Sequence, residues 1–218
     1  MKKFSWIDVV ALIIWIIPIV YLLNVYASLP QTVAVHFDLE GKPNRYGDKS
    51  EMLFISLLLS GISAGLYFLL KFLPSIDPKK MAKYSGAAFK KMALAILILF
   101  SAISIMIVHS AIAGKITLDK LMFPFIGLFI AFVGNIMHNI KPNYFAGIRT
   151  PWTLEDPETW KATHRLGSKL WFIGGIVITI MTLLLPQKVG YIFFMTVLIT
   201  ISLIPVIYSY TYYKKHKQ

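Results

Sequence analysis

The sequence predicts an all-α integral membrane protein of six transmembrane helices, with both termini cytoplasmic and a small extracellular strand or hairpin cap between spans 1 and 2. Three observations predict it. Of 218 residues, 57% are hydrophobic and only 15% charged, and the mean hydropathy is +0.67, beyond the range of soluble domains. The apolar residues come in blocks long enough to cross a hydrocarbon layer of about 30 Å. The 22 Lys and Arg residues are also unevenly placed: sixteen fall in the termini and in alternate loops, six in the remaining loops. The positive-inside rule puts the richer side in the cytoplasm.

The spans read as Ile7–Ala27, Met52–Leu70, Met92–Ala113, Leu121–Ile140, Leu170–Leu185 and Val189–Tyr208. Lys2-Lys3 before the first block has the look of a secretory signal, and Val25-Tyr26-Ala27 vaguely resembles a cleavage site. That run is too long for a signal core, and its removal would leave an odd number of spans, so it reads as a retained helix. Two domains are expected. Residues 1–70 form a pair of spans with the cap at 28–51, and 71–218 form four spans with a long cytoplasmic loop at 141–169.

In the cap, Val33, Val35, Phe37 and Leu39 alternate with Ala34, His36, Asp38 and Glu40. A period of two reads as a half-buried strand. Gly41-Lys42-Pro43-Asn44 and Tyr46-Gly47-Asp48 supply turn chemistry. Gly61-x-x-x-Gly65 offers a close helix approach, with Gly174-Gly175 a weaker candidate. Pro18, Pro124 and Pro205 are expected to kink their helices. Asp8, Asn24, His109, Asn135, His138 and Asn139 all fall near span ends, and the mid-span polar residues are only Ser and Thr.

The 141–169 loop is unlike a generic connector, because its first part, 141–154, carries Tyr, Phe, Trp, a lone Arg and two Pro, and a second Trp follows at 160. Displayed aromatics cost solvation unless they fold back or bind. Thr153-x-x-Asp156 reads as a capping box, with Pro157 suited to the first turn of a short interfacial helix over about 157–166. Trp160 and His164 share a face of that helix, and Gly167-Ser168 permit a bend before the fifth span.

Several residues carry two readings. Arg149 is either an anchor to lipid phosphate or a ligand for a carboxylate. Trp152 and Trp160 read as belt residues or as a binding platform. His36 and Asp38 share a strand face, but two ligands without a third make a solvated face the simpler reading. His109 and His138 read as structural. The basic 71–91 loop is a topology and lipid anchor or a docking patch. The net charge of +12 does not point to nucleic acid, because the basic residues flank spans. With no cysteine there is no thiolate chemistry, and no metal or cofactor motif is present.

Two sets of residues resemble a known family. Gly134-Asn135, Lys141-Pro142-Asn143-Tyr144-Phe145-x-Gly147-Ile148-Arg149-Thr150-Pro151-Trp152-Thr153-Leu154 and Trp160-x-x-Thr163-His164-Arg165-x-Gly167 resemble the central signature of the SdpI family of bacterial immunity proteins. Leu29-Pro30, Val35-His36-Phe37, Gly41 and Asn44-Arg45 resemble the outer domain common at the N-terminus of its members. The resemblance implies a multi-pass protein of the bacterial plasma membrane that protects against a secreted toxic peptide. It also implies a relay, since the best-known member sequesters a transcriptional repressor at the membrane. The partner-binding set of the cytoplasmic loop is then Asn143, Tyr144, Phe145, Gly147, Arg149, Thr150, Pro151, Trp152, Trp160, His164 and Arg165. The toxin-facing set of the cap is His36, Asp38, Arg45 and Tyr46. Expected partners are the bilayer, the peptide and a repressor, without direct contact to nucleic acid.

Two other classes fit less well. A transporter of a peptide or lipid-like substrate is the alternative, but the chain has no nucleotide loop, repeat or mid-span ionisable group for coupling. An intramembrane enzyme would need a catalytic constellation at depth, and none is spelled out, so no enzymatic activity is expected.

Overall fold

The computed structural model describes residues 5–38, 43–78, 82–113 and 119–217, without the side chains of 37, 82, 83, 119 and 120. The side chain of Phe37, residues Leu39 to Lys42, the Lys79-Lys80 pair and the Lys83 side chain therefore lie outside the described residues. Seven α-helices and one hairpin are described: α1 (Trp6–Tyr26), β1 (Thr32–Phe37), β2 (Pro43–Asp48), α2 (Lys49–Ile76), α3 (Gly86–Ala113), α4 (Asp119–Met137), α5 (Pro151–Glu155), α6 (Pro157–Leu184) and α7 (Gln187–Lys217), with a 3₁₀ turn at Ala82–Ser85. Among the described residues, α1, α2, α3, α6 and α7 are each long and apolar enough to cross a membrane, and Leu121–Met137 of α4 is a shorter apolar stretch. Helices are what such a chain must form, because hydrocarbon offers no partner to an unpaired peptide group.

The chain divides into two compact units, Met1–Phe68 with Ala93–Met122, and Leu69–Met92 with Phe123–Gln218. In the first unit, α1 opens on a local brace. The Asp8 carboxylate accepts the Ser5 N–H at 2.8 Å and the Ser5 hydroxyl at 3.0 Å. It also accepts the Tyr67 hydroxyl of α2 at 2.6 Å. Two further ties join α1 to its neighbours. Trp15 Nε1 donates to the Ser60 carbonyl at 2.9 Å, and the Ser101 hydroxyl donates to the Ile14 carbonyl at 3.1 Å.

The cap is an antiparallel hairpin of β1 and β2, with Thr32 opposite Asp48 and Ala34 opposite Tyr46. The expected alternation holds only in part. Val33 and Ala34 are both in the core at 2% and 5% exposure, while Val35 is half-buried and falls at an irregularity between Ala34 and His36. A bulge of this kind bends the strand and shifts its facing by one residue. Val33 packs with Leu22, Leu29, Met52 and Val108, so the hairpin is seated on the ends of the helices.

The second unit shows why α6 does not bend. Gly167 and Ser168, expected to hinge a short helix to a span, lie inside one continuous helix over Pro157–Leu184. Gly167 is used for packing, since a Cβ there would strike Ile148 Cδ1 at 2.6 Å. The Ser168 hydroxyl donates to the Gly134 carbonyl of α4 at 2.6 Å. Along the same crossing, a Cβ on Gly134 would strike the Phe172 backbone nitrogen, and one on Gly175 would strike the Ala131 backbone nitrogen. Backbone therefore meets backbone between α4 and α6, the small-residue packing of membrane helices. Ile130, Ile178, Phe194 and Ile201 complete the core with α7. Gly61 and Gly65, the stronger expectation from spacing, have nothing within 4 Å of an added Cβ. Spacing alone does not say which face a neighbour covers.

The two pairs give opposite expectations. Gly134→Ala drives a methyl into backbone that has no rotamer to yield, and overpacking of this kind costs about 1–3 kcal/mol. Gly61→Ala meets open space and recovers up to about 1 kcal/mol of helix propensity. Thermal unfolding of the purified full chain in detergent should show a lower midpoint for the first and an unchanged or higher one for the second. Equal behaviour of the two variants would contradict the α4–α6 contact.

Candidate functional site

The segment between α4 and α6 is built around one asparagine. Asn143 is fully buried and uses its whole amide. Its Nδ2 donates to the carbonyls of Lys141 at 2.9 Å and Ala146 at 3.1 Å. Its Oδ1 accepts the N–H groups of Phe145 and Ala146, both at 2.8 Å. That closes a tight turn whose backbone groups would otherwise be orphaned. The Lys141 N–H is taken by the Ser85 hydroxyl at 2.8 Å, which ties the start of the turn to the 3₁₀ segment.

The turn closes at Gly147, whose φ of +115° lies where side chains are strained. An added Cβ there would also strike His164 Nε2 and come within 3.2 Å of the Trp160 ring. The two rings stack at 4.0 Å with 15° between planes, one turn apart on α6, and both are buried at 2% and 1% exposure. They act on backbone. Trp160 Nε1 donates to the Ile140 carbonyl at 2.8 Å. His164 Nε2 accepts the Ile148 N–H at 3.0 Å, and Nδ1 lies 2.8 Å from the Trp160 carbonyl, which only an Nδ1–H can satisfy. This pattern fixes the neutral Nδ1–H tautomer, because an imidazolium has no acceptor to offer Ile148.

A double cap then turns the chain into α6. Thr150 is the N-cap of α5 and accepts the Thr153 N–H at 3.2 Å, while Thr153 Oγ1 accepts the Thr150 N–H at 2.9 Å. Asp156 caps α6, accepting the Thr159 N–H at 2.8 Å and the Thr159 hydroxyl at 2.7 Å. The expected box of Thr153 with Asp156 is thus replaced by two consecutive caps, with Pro151 and Pro157 each at the first turn of its helix. The Thr159 hydroxyl holds the Asp156 carboxyl below the usual range, and Lys217, 3.7 Å away, adds to this. Thr150 also bonds Ser209 of α7 at 3.1 Å, and the Trp152 ring packs on Tyr210 at 5.0 Å.

What the turn displays is short. Tyr144 and Phe145 are 47% and 38% exposed, and Arg149 is exposed. One arm of the Arg149 guanidinium donates to the Tyr144 carbonyl at 2.6 Å. No carboxylate lies within 4 Å of Arg149 among the described residues. Pro151 and Arg165 are exposed and Trp152 is half-buried, whereas Asn143, Thr150, Trp160 and His164 are buried. The eleven residues named from the sequence thus fall into displayed residues and residues that hold them.

These residues also match a family model. Residues 139–209 match the SdpI/YfhL protein family. That stretch of the chain is similar to the SdpI/YfhL family. A second match, to a domain of unknown function (DUF1648), covers residues 13–60. Immunity protein SdpI of Bacillus subtilis (strain 168) is 26% identical over 216 residues, spanning 99% of this chain and 98% of that relative. No solved structure matches. With its five long apolar helices and its similarity to that relative along nearly its whole length, the chain is a multi-pass protein of the bacterial cell membrane. The SdpI/YfhL match includes the turn from Asn139, all of α5 and α6 and α7 as far as Ser209.

In the cap, the structure brings together His36 and Arg45, which are paired across the hairpin. His36 Nδ1 lies 2.5 Å from Asn44 Oδ1, and Arg45 bonds Glu51 at 2.6 Å in an exposed pair of the kind worth little to stability. Tyr46, 60% exposed, is next along β2 and so points to the other side. Asp38 is half-buried beyond the end of β1. Among the described residues no group of three or more His, Cys, Asp or Glu could hold a metal ion.

Sequence reasoning did not find the Tyr67–Asp8 bond, the Thr150–Ser209 bond or the Trp152–Tyr210 contact. Asp8 gave a usable signal, as an acidic residue just inside an apolar block that needs a donor. The α7 partners gave none, because Ser and Tyr at a span end are ordinary there.

Proposed function

We propose that this chain is a non-enzymatic membrane immunity protein. It protects a bacterium against a secreted toxic peptide and relays the presence of the peptide to a transcriptional repressor held at the membrane. The observation that carries the reading is the turn over 143–150. The Asn143 amide and His164 Nε2 are spent on the backbone of this segment, His164 Nδ1 is spent on the Trp160 carbonyl of α6, and what the turn shows to the outside is two aromatics and an arginine fork. A rigid display of this composition suits recognition of a carboxylate beside an apolar surface. Support for immunity comes from the relative of that name along nearly the whole chain.

In this reading six helices cross the bilayer. Helix α4, with 19 residues and about 28 Å of rise, serves as the fourth span. Both termini and the 141–169 segment lie in the cytoplasm, and the hairpin lies outside. Residues 1–70 meet the peptide through His36, Asp38, Arg45 and Tyr46. Residues 71–218 report it through Tyr144, Phe145, Arg149, Trp152 and Arg165, while Asn143, Gly147, Thr150, Pro151, Trp160 and His164 keep the display in shape.

Two measurements test this. The chain has no native cysteine, so a single introduced cysteine reports its own side. An impermeant maleimide should label Asn44→Cys in intact cells and Lys214→Cys only after permeabilisation; the reverse would overturn the orientation. For the relay, Arg149→Lys keeps the charge but loses the planar fork. Loss of a charge-assisted pair costs about 1.5–3 kcal/mol, roughly ten- to a hundredfold in affinity. The variant should keep normal abundance and survival under toxin-containing medium while repressor recruitment to the membrane falls. Full recruitment would return Arg149 to the role of a lipid anchor, and lost survival at normal abundance would contradict the division of duties.

A further inference from the structure

Helix α6 carries a pattern of which the proposed relay uses only Arg165. Lys161, Arg165 and Lys169 recur every four residues on one stripe of the helix, so they project from one face. The stripe continues through Ile173, Val177, Ile180 and Leu184, which are 61%, 39%, 51% and 74% exposed. One face of one helix is therefore basic for its first three turns and then apolar and outward-facing for the rest of its length.

The basic part is also concave. Lys161, Arg165 and Lys169 line a groove of about 450 Å³ whose other wall is Tyr208 and Tyr212 of α7. The two tyrosine rings sit 5.7 Å apart. Glu158 is the acidic residue in the lining, and its contact with Lys161 is long, 3.9 Å, with both side chains more than 70% exposed. Such a pair is too loose to neutralise the site. Arg165 and Lys169 have no ion-pair partner among the described residues.

We propose that this groove is a binding site for the phosphate of an anionic phospholipid. The Arg165 fork and the flanking lysines take the phosphate oxygens, the tyrosine hydroxyls lie at headgroup depth, and an acyl chain runs down the Ile173–Leu184 stripe. Arg suits the centre because its fork matches two phosphate oxygens, and Lys binds the same group as a point charge. A soluble anion would explain the cations but not the apolar continuation on the same face. A protein partner would not require that continuation to be as long as a lipid tail. Basic pockets beside membrane helices bind anionic headgroups in this way.

The test uses the full chain reconstituted in phosphatidylcholine vesicles, with Ala162→Cys in the groove wall carrying a fluorophore. Brominated phosphatidylglycerol should quench it at about five- to tenfold lower mole fraction than brominated phosphatidylcholine, given the usual gain per cation at an anionic surface. A fluorophore at Leu203→Cys, an exposed apolar position on α7, should respond equally to both lipids. Adding Arg165→Gln and Lys169→Gln should erase the preference at Ala162→Cys, and Lys188→Gln should leave it intact. Equal quenching at Ala162→Cys in the otherwise unaltered chain, or a preference that survives the double change, would overturn the proposal. Relief of quenching by millimolar inorganic phosphate would identify a free-anion site and overturn the lipid assignment.

Discussion

The stacked pair of Trp160 and His164 is the contact from which the rest of the second unit takes its shape. In one turn of α6 the two rings satisfy backbone groups of Ile140, Ile148 and α6 itself. The groups of Ile140 and Ile148 belong to a non-helical segment placed against membrane helices, where an unpaired peptide group costs several kcal/mol. A flexible connector would have to find water for them. Here two side chains supply donor and acceptor in fixed positions, so irregular backbone persists without solvent. Gly147 follows from the same contact, because its backbone passes where a Cβ would meet the imidazole and the indole.

Seen this way, the bulk of α6 has three tasks in succession. Its first turn is capped by Asp156 and seated under α5. Its second and third turns grip the displayed turn on one side and present Lys161, Arg165 and Lys169 on another. Beyond Gly167 it packs closely on α4, through Ser168 and Gly175, and on α7 through Gly174 and Ile178. A continuous helix serves all three better than a hinged one, since each task fixes the rotation of the next. That is the physical reason Gly167 and Ser168, which look like a hinge in sequence, lie in mid-helix.

Much of this was legible in the amino-acid sequence, and the reason is the bilayer. Apolar length alone located α1, α2, α3, the lower part of α6 and α7, because hydrocarbon leaves helix as the available structure. The shared face of Trp160 and His164 followed from their spacing, and their stacking did not. The hairpin followed from its alternation, but a bulge near Val35 depends on how the strand seats on Leu22 and Met52, which no local pattern encodes. Gly61 and Gly65 misled for a similar reason. A glycine pair marks an available smooth face, and only tertiary packing decides whether a neighbour occupies it. In the 141–169 segment the family resemblance singled out all eleven positions, yet did not separate Asn143, which is spent inside, from Arg149, which is shown outside. That separation depends on hydrogen bonds across sixteen residues of sequence, between Ile148 and His164.

The central claim is that His164 holds the displayed turn by accepting the Ile148 amide. Hydrogen exchange at that amide, followed by mass spectrometry or NMR in the reconstituted full chain, reads it directly. Ile148 should be strongly protected in the unaltered chain, and His164→Phe, which keeps an aromatic ring over Trp160 but removes the acceptor, should expose that amide to fast exchange while the core of α6 stays protected. An Ile148 amide that exchanges as slowly in His164→Phe as in the unaltered chain would contradict the account.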